Sequence, residues 1–217
     1  MDLVVVGSSP IVHPKPFHME KEQNPVLVEG KTREGEDLSA SPLAKGDYEK
    51  CIFKGCNLAE ADLSDITFSE SRFENCNLSL ASLTSTAFRG VQFVNCKMVG
   101  LRFEACNAFG LSFGFDNCAL NQSSFCRIKI KNTVFKRSKL TGVDFTQCDL
   151  TGAVFDDCDL SGAVFLRSVM NKADFRTAYG YSIDLEANRA KKAKFSPLGL
   201  AGLLDKYDIE IGDADRT

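Results

Sequence analysis

Residues 135–155 read Phe135-Lys-Arg-Ser-Lys-Leu140-Thr-Gly-Val-Asp-Phe145-Thr-Gln-Cys-Asp-Leu150-Thr-Gly-Ala-Val-Phe155. A large apolar residue stands at every fifth position. That period fits neither an amphipathic helix, which needs 3.6, nor an ordinary strand, which needs 2. It calls for a repeat architecture.

The series extends in both directions. Toward the N-terminus it runs back through Ile130, Phe125 and Leu120, then two residues out of step through Phe113, Phe103, Met98, Phe93, Phe88, Leu83, Leu78, Phe73, Phe68, Leu63, Leu58, Phe53, Tyr48 and Leu43 to Leu38. Toward the C-terminus it continues through Leu160, Phe165, Met170 and Phe175 to Leu185 and Phe195, and Ala108, Gly180 and Ala190 are its small exceptions. Two residues before many centres lies a smaller residue, as at Cys56, Ala61, Ser71, Cys76, Ala81, Cys96, Ala153 and Ala163. Residues two apart in an extended chain face the same side, so each unit turns two side chains in and three out. Units twenty apart match in type. Phe53, Phe73, Phe93 and Phe113 form one column, Leu38, Leu58, Leu78 and Met98 a second, and Phe135, Phe155, Phe175 and Phe195 a third. Four units therefore make one coil of a four-sided tube. A three-sided coil would mix the types.

The fold class expected is an all-β solenoid over residues 24–196, with about eight coils spaced at roughly 4.8 Å giving a rod about 38 Å long. Each buried Leu or Phe contributes about 1.5–3 kcal/mol, enough for a core without disulfides or metal. The chain has nine cysteines. All but Cys126 fall at the smaller inward position, which reads as buried, reduced thiols. No window is long and apolar enough to span a bilayer, and Asp2 with no basic start does not fit a secretory signal. A cytoplasmic location is the expectation.

Residues 1–23 lack the repeat, hold His13 and His18, and read as a flexible leader. Val26-Leu27-Val28 reads as a capping strand. At the other end Ser196-Pro197 looks like a helix start, with a side-chain cap followed by proline. The predicted helix carries Leu200, Leu203, Leu204 and Tyr207 as an apolar stripe, and residues 208–211 read as a short strand. A solenoid end needs a cap. The stripe is wider than one coil end requires, so residues 197–217 are expected to cap the tube and join two copies.

Seven residues, not five, separate Phe113 from Leu120. The expected insert is Gly114-Phe115-Asp116-Asn117, a register slip over 114–119 that bulges and bends the rod.

The sequence carries no sign of catalysis: no phosphate loop, no histidine dyad within the repeats, no Cys-x-x-Cys pair. No cofactor or metal is implied, and aspartates recur because the coil turns favour them. Charge is banded along the chain. Residues 34–76 hold ten acids and four bases, residues 89–139 two acids and nine bases, and residues 140–188 eight acids and three bases, before Arg189, Lys191, Lys192 and Lys194. The acidic bands flanking the basic ones would repel phosphates, which counts against direct nucleic-acid binding.

Residues 36–196 resemble the pentapeptide-repeat proteins, a family whose fold is a right-handed, quadrilateral β-helix. Two stretches are similar to its topoisomerase-protecting branch, which holds the Qnr quinolone-resistance, albicidin-resistance and microcin immunity proteins. One is Phe73-Glu-Asn-Cys-Asn-Leu-Ser-Leu-Ala81 with Phe93-Val-Asn-Cys-Lys-Met98. The other is the ending from Phe195-Ser-Pro-Leu-Gly-Leu to Tyr207-Asp-Ile-Glu-Ile211. The resemblance implies a homodimer, joined at its C-terminal ends, that binds DNA gyrase and topoisomerase IV and relieves a poison by imitating duplex DNA. Duplex DNA carries one charge per 1.7 Å, about 22 over such a rod. The whole chain carries −3, so imitation can only be local. The partner-binding residues expected are Asp144, Asp149, Asp157 and Asp159, with Val154 and Leu166 beside them. The competing expectation is a pentapeptide scaffold for protein–protein contacts with no topoisomerase partner.

Overall fold

The computed structural model describes residues 25–211, so the expected leader at 1–23 lies outside them. The chain winds into a four-sided parallel β-solenoid, and its four columns of inward centres define four faces. The first face is a seven-stranded parallel sheet containing the strands Thr32–Glu34, Ile52–Lys54, Arg72–Glu74, Val91–Val94, Phe113–Asp116, Val134–Lys136 and Val154–Asp156. The fourth face is a four-stranded parallel sheet of Val26–Glu29, Gly46–Glu49, Thr67–Ser69 and Ala87–Arg89. The second and third faces are held by single parallel bridges, such as Asn57 to Asn77 and Asp144 to Val164. The register is twenty residues, with Phe53 beside Phe73 and Phe135 beside Phe155.

Corners are made by the second residue after each centre, which adopts a left-handed backbone: Lys50, Gly55, Glu60, Asp65 and Glu70 in succession, all with φ between 48° and 59°. Glycine, asparagine and aspartate enter that region most readily. Many corners hold other polar residues, so continuity of the ladder on both sides overrides local preference.

The core is aromatic and continuous. On the first face Phe53, Phe73, Phe93, Phe115, Phe135, Phe155, Phe175 and Phe195 stack with near-parallel rings, at centroid separations of 4.6–5.4 Å. A second stack on the third face runs Phe103, Phe125, Phe145, Phe165. The two meet edge to face, as Phe125 does Phe135 at 5.8 Å and 88°. Edge-to-face contact places the positive ring edge on the negative face and adds to area burial.

The mid-chain insert is not where the spacing predicted. Residues 113–116 form a strand in register with Val91–Val94 below, and Phe115 and Asp116 pair with Phe135 and Lys136 above. Phe115, not Phe113, continues the phenylalanine column. The two extra residues lie earlier, between Asn107 and Phe113, where an exposed loop replaces one side of the fourth face. There Ala108 is exposed instead of inward, and Phe109 stands 78% exposed. Phe113 occupies the position held by Cys51, Ser71 and Val91 in the coils below, and turns its ring inward to fill the gap against Phe88, Phe103 and Phe125. The Ser112 hydroxyl accepts from the Gly90 amide at 2.7 Å. Gly114 is buried because Gln92 covers it; a β-carbon there would meet the amide oxygen at 2.6 Å. The stacked rings flanking the insert make angles of 11° and 8°, smaller than the 20° between Phe73 and Phe93. The rings therefore stay stacked across the insert, and the extra length sits in the loop outside that column.

The C-terminal cap also differs from expectation. It consists of two 3-10 helices, Pro197–Leu203 and Asp205–Tyr207, and the Ser196 side chain makes no capping bond. Residues 208–211 are not a strand; Asp208 takes a left-handed turn instead. Two glycines in the first helix decide its close docking, because β-carbons at Gly199 and Gly202 would collide with the Tyr181 hydroxyl and carbonyl oxygens.

Candidate functional site

Two surfaces bear on function, the end of the rod and its charged sides. At the end, Leu185, Leu200, Leu203, Leu204 and Tyr207 line an apolar recess. Leu203 is half-buried and packs onto the core. Leu200, Leu204 and Tyr207 remain exposed, as do Leu198, Ile209 and Ile211 nearby. Lys206 bridges Asp184 at 2.8 Å and Glu186 at 2.7 Å, latching the second helix to the last coil. Of the four residues expected to face a second copy, Leu203 is therefore mainly part of the cap.

The expected partner-binding residues are not gathered in one patch. Asp144 lies on the third face, Asp149 on the fourth, Asp159 on the second, and Asp157 at the corner after the first. The acidic stretch of the sequence becomes a belt around the rod. Three of the four also serve the fold: Asp144, Asp149 and Asp159 accept the amides of Thr146, Thr151 and Ser161 at 2.8, 3.1 and 3.0 Å. The hydroxyl of Ser161 holds the Asp159 carboxyl below the usual carboxylate range. Asp157 is exposed. Leu166 is exposed beside Val164 on the third face, whereas Val154 is half-buried on the first. Sequence reading missed Phe109, whose ring lies 5.9 Å from the Arg89 guanidinium. Its signal was the failure of Ala108 as a centre.

The cysteines stand where the inward pattern puts them. Eight are buried and Cys126 is half-buried, and all are free thiols. Their sulfurs donate to carbonyls of the coil below, as Cys76 does to Phe53 at 3.3 Å and Cys96 to Phe73 at 3.4 Å. Burial pushes the Cys106 and Cys158 thiols up to about 12. Among the described residues no group of His, Cys, Asp or Glu could hold a metal ion. No described helix is long and apolar enough to cross a membrane.

The four-sided coil, the twenty-residue register and the left-handed corner are joined by agreement at the family level. A model of the pentapeptide repeat region matches residues 47–114, and one of eight pentapeptide repeats matches 115–147 and 148–178. The chain belongs to the pentapeptide-repeat family. Comparison with curated proteins finds no match. Among solved structures it is similar to QnrB1 (M102R, trypsin-treated), a plasmid-mediated fluoroquinolone resistance protein. That likeness has a TM-score of 0.59 and 16% identity over 88% of this chain and 100% of that one. It is also similar to HetL of the cyanobacterium Nostoc sp. strain PCC 7120, a pentapeptide-repeat protein involved in heterocyst differentiation regulation. There the TM-score is 0.46 at 16% identity, over 79% of this chain and 90% of that one. At 16% identity the likeness to QnrB1 establishes a shared right-handed β-helix.

Proposed function

We propose that this protein binds a type II topoisomerase, DNA gyrase first and topoisomerase IV second, and protects it from a poison as a cytoplasmic homodimer. It acts as a binding protein, not as an enzyme. The observation that carries this reading is the end of the rod: a docked cap leaves Leu200, Leu204 and Tyr207 exposed around an apolar recess. An apolar end of this kind suits an isologous contact, in which the same patch serves both copies. Two rods joined there make one long, stiff body, because each coil is locked to the next by ring stacking. Its acids form belts around the axis and the whole chain carries only −3, which favours local contact with a poisoned enzyme–DNA complex over replacement of a full DNA segment.

The test is supercoiling by purified gyrase in the presence of a poison, with wild type and with Asp144, Asp149, Asp157 and Asp159 changed to Asn. Asparagine keeps the turn bonds, as Asn57 and Asn77 do already in accepting the amides of Ala59 and Ser79. The variant should keep its fold and protect less. Equal protection by both proteins would remove the aspartates from the contact. No protection by wild type with any poison would leave the pentapeptide scaffold as the better description.

A further inference from the structure

The fourth face of the C-terminal half gathers bases from two separate stretches of the sequence, 127–131 and 167–192, on either side of Asp149. The linear band 140–188 is acidic, but coiling distributes its acids elsewhere. Asp144 goes to the third face, Asp156 and Asp174 to the first, and Asp159 to the second, while Asp184 and Glu186 are paired with Lys206 of the cap. Only Asp149 remains on the fourth. The bases are sorted the opposite way. Lys129, Asp149, Val169 and Arg189 stack in one outward column. Lys131 and Lys191 lie two residues further along the same coils, with Lys172 and Lys192 at the left-handed corner. Arg127 and Arg167 occupy the corner on the other edge.

Eight bases thus confront one acid, and all eight are exposed. Among the described residues Lys131 alone of them is in an ion pair, to Asp149 at 3.2 Å. A shallow recess lined by Thr151, Asn171, Lys172, Lys191 and Lys192 runs along one edge of the surface.

We infer that this face is a docking surface for the phosphate backbone of duplex DNA, held without regard to base sequence. The magnitudes match. Three coil steps at roughly 4.8 Å span about 14 Å. Duplex DNA carries one charge per 1.7 Å, about eight over that length, against a net +7 on the face. Flexible Lys and Arg on a flat, regularly spaced surface neutralise phosphates but read no base edges, which is how backbone contacts work. The repulsion expected from neighbouring acids in sequence is removed, because those acids face other directions. This inference does not rest on the topoisomerase reading, and gyrase takes no part in its test.

The test is fluorescence anisotropy of a short labelled duplex of mixed sequence with the full chain. Lys172, Lys191 and Lys192 are changed to Gln, a residue that already occupies left-handed corners at Gln122 and Gln147. A control triple changes Lys97, Lys136 and Lys139 on the first and second faces to Gln, with circular dichroism confirming that both variants fold. Wild type should bind at about 50 mM salt and lose roughly 10³-fold or more by about 200 mM. The fourth-face triple should lower the salt slope by about 2.7, the share of three phosphate contacts, and the control should leave it unchanged. No binding at low salt, or equal losses from both triples, would overturn the assignment. Competition by poly-glutamate as strong as by unlabelled duplex would also overturn it, pointing to an acidic protein surface.

Discussion

Gly202 lies against the backbone of Tyr181 so closely that a β-carbon would overlap the tyrosine carbonyl oxygen, while its own carbonyl accepts the Ile183 amide at 2.8 Å. That contact seats the cap on the last coil. Gly202→Ala should lift the first 3-10 helix and cost about 1–3 kcal/mol, the range for overpacking a fitted contact. Thermal melting should show this loss, and light scattering should show weaker self-association with it. An unchanged melt would mean that the cap contributes nothing to the rod's stability.

Self-association itself is tested by changing Leu200 and Leu204 to Asp. Both side chains are exposed, so a folded monomer is expected. Leu203 is left alone because it packs on the core, and an aspartate there would damage the cap. A wild type that is already monomeric at tens of micromolar would remove the homodimer.

The placement of the insert has a sharp consequence for two phenylalanines six residues apart. Phe115 is 2% exposed and Phe109 is 78% exposed. Phe115→Ala should cost about 3–5 kcal/mol, and Phe109→Ala should stay within about 0.5 kcal/mol as a surface change. Denaturant unfolding of both variants decides it, and comparable losses would return the insert to residues 114–117.

How much of this was legible in the sequence depends on which direction is asked about. Along the axis, the five-residue spacing from Leu38 to Phe175 carries the coil, the register and the inward cysteines, because stacking identical units leaves one solution; in the last coil Leu185, expected inward, is exposed and Ile183 is buried instead. Around the axis little was legible. The insert was misplaced because Phe113 and Phe115 are both large, and only pairing with Phe93 and Phe135 tells which one faces the column. The cap reads locally as a helix with a following strand, since local signals cannot foresee Gly199 and Gly202 fitting under Tyr181. The charges read as bands along the chain, whereas the turning coil sorts Asp144, Asp149 and Asp159 onto three different faces.

Thiol chemistry follows from burial. The buried cysteines should react with a thiol reagent only after local opening, with Cys126 the fastest, because the inward sulfurs are shielded from the reagent and Cys126 is only half-buried. Counting labelled sulfurs by mass against time checks this. Rapid labelling of several thiols in native protein would contradict the inward ladder.

Acid should loosen the rod at Asp174. Its carboxyl is held down to about 2 by the Arg176 side chain, with the Arg176 amide and Lys194 also helping. A carboxylate lowered in the folded state stabilises above its unfolded value near 3.9, and that contribution disappears as pH falls through the folded value. Stability should therefore fall between about pH 4 and pH 2, and Asp174→Asn should flatten part of that fall in melting curves.

The central claim is met most directly by measuring cleaved DNA in gyrase reactions across a titration of this protein, with several classes of poison. The account predicts that cleavage-complex accumulation falls with rising protein for at least one poison, and that the Leu200/Leu204 aspartate variant protects less than wild type. Cleavage that stays constant with every poison, together with no binding to gyrase at low salt, would contradict it.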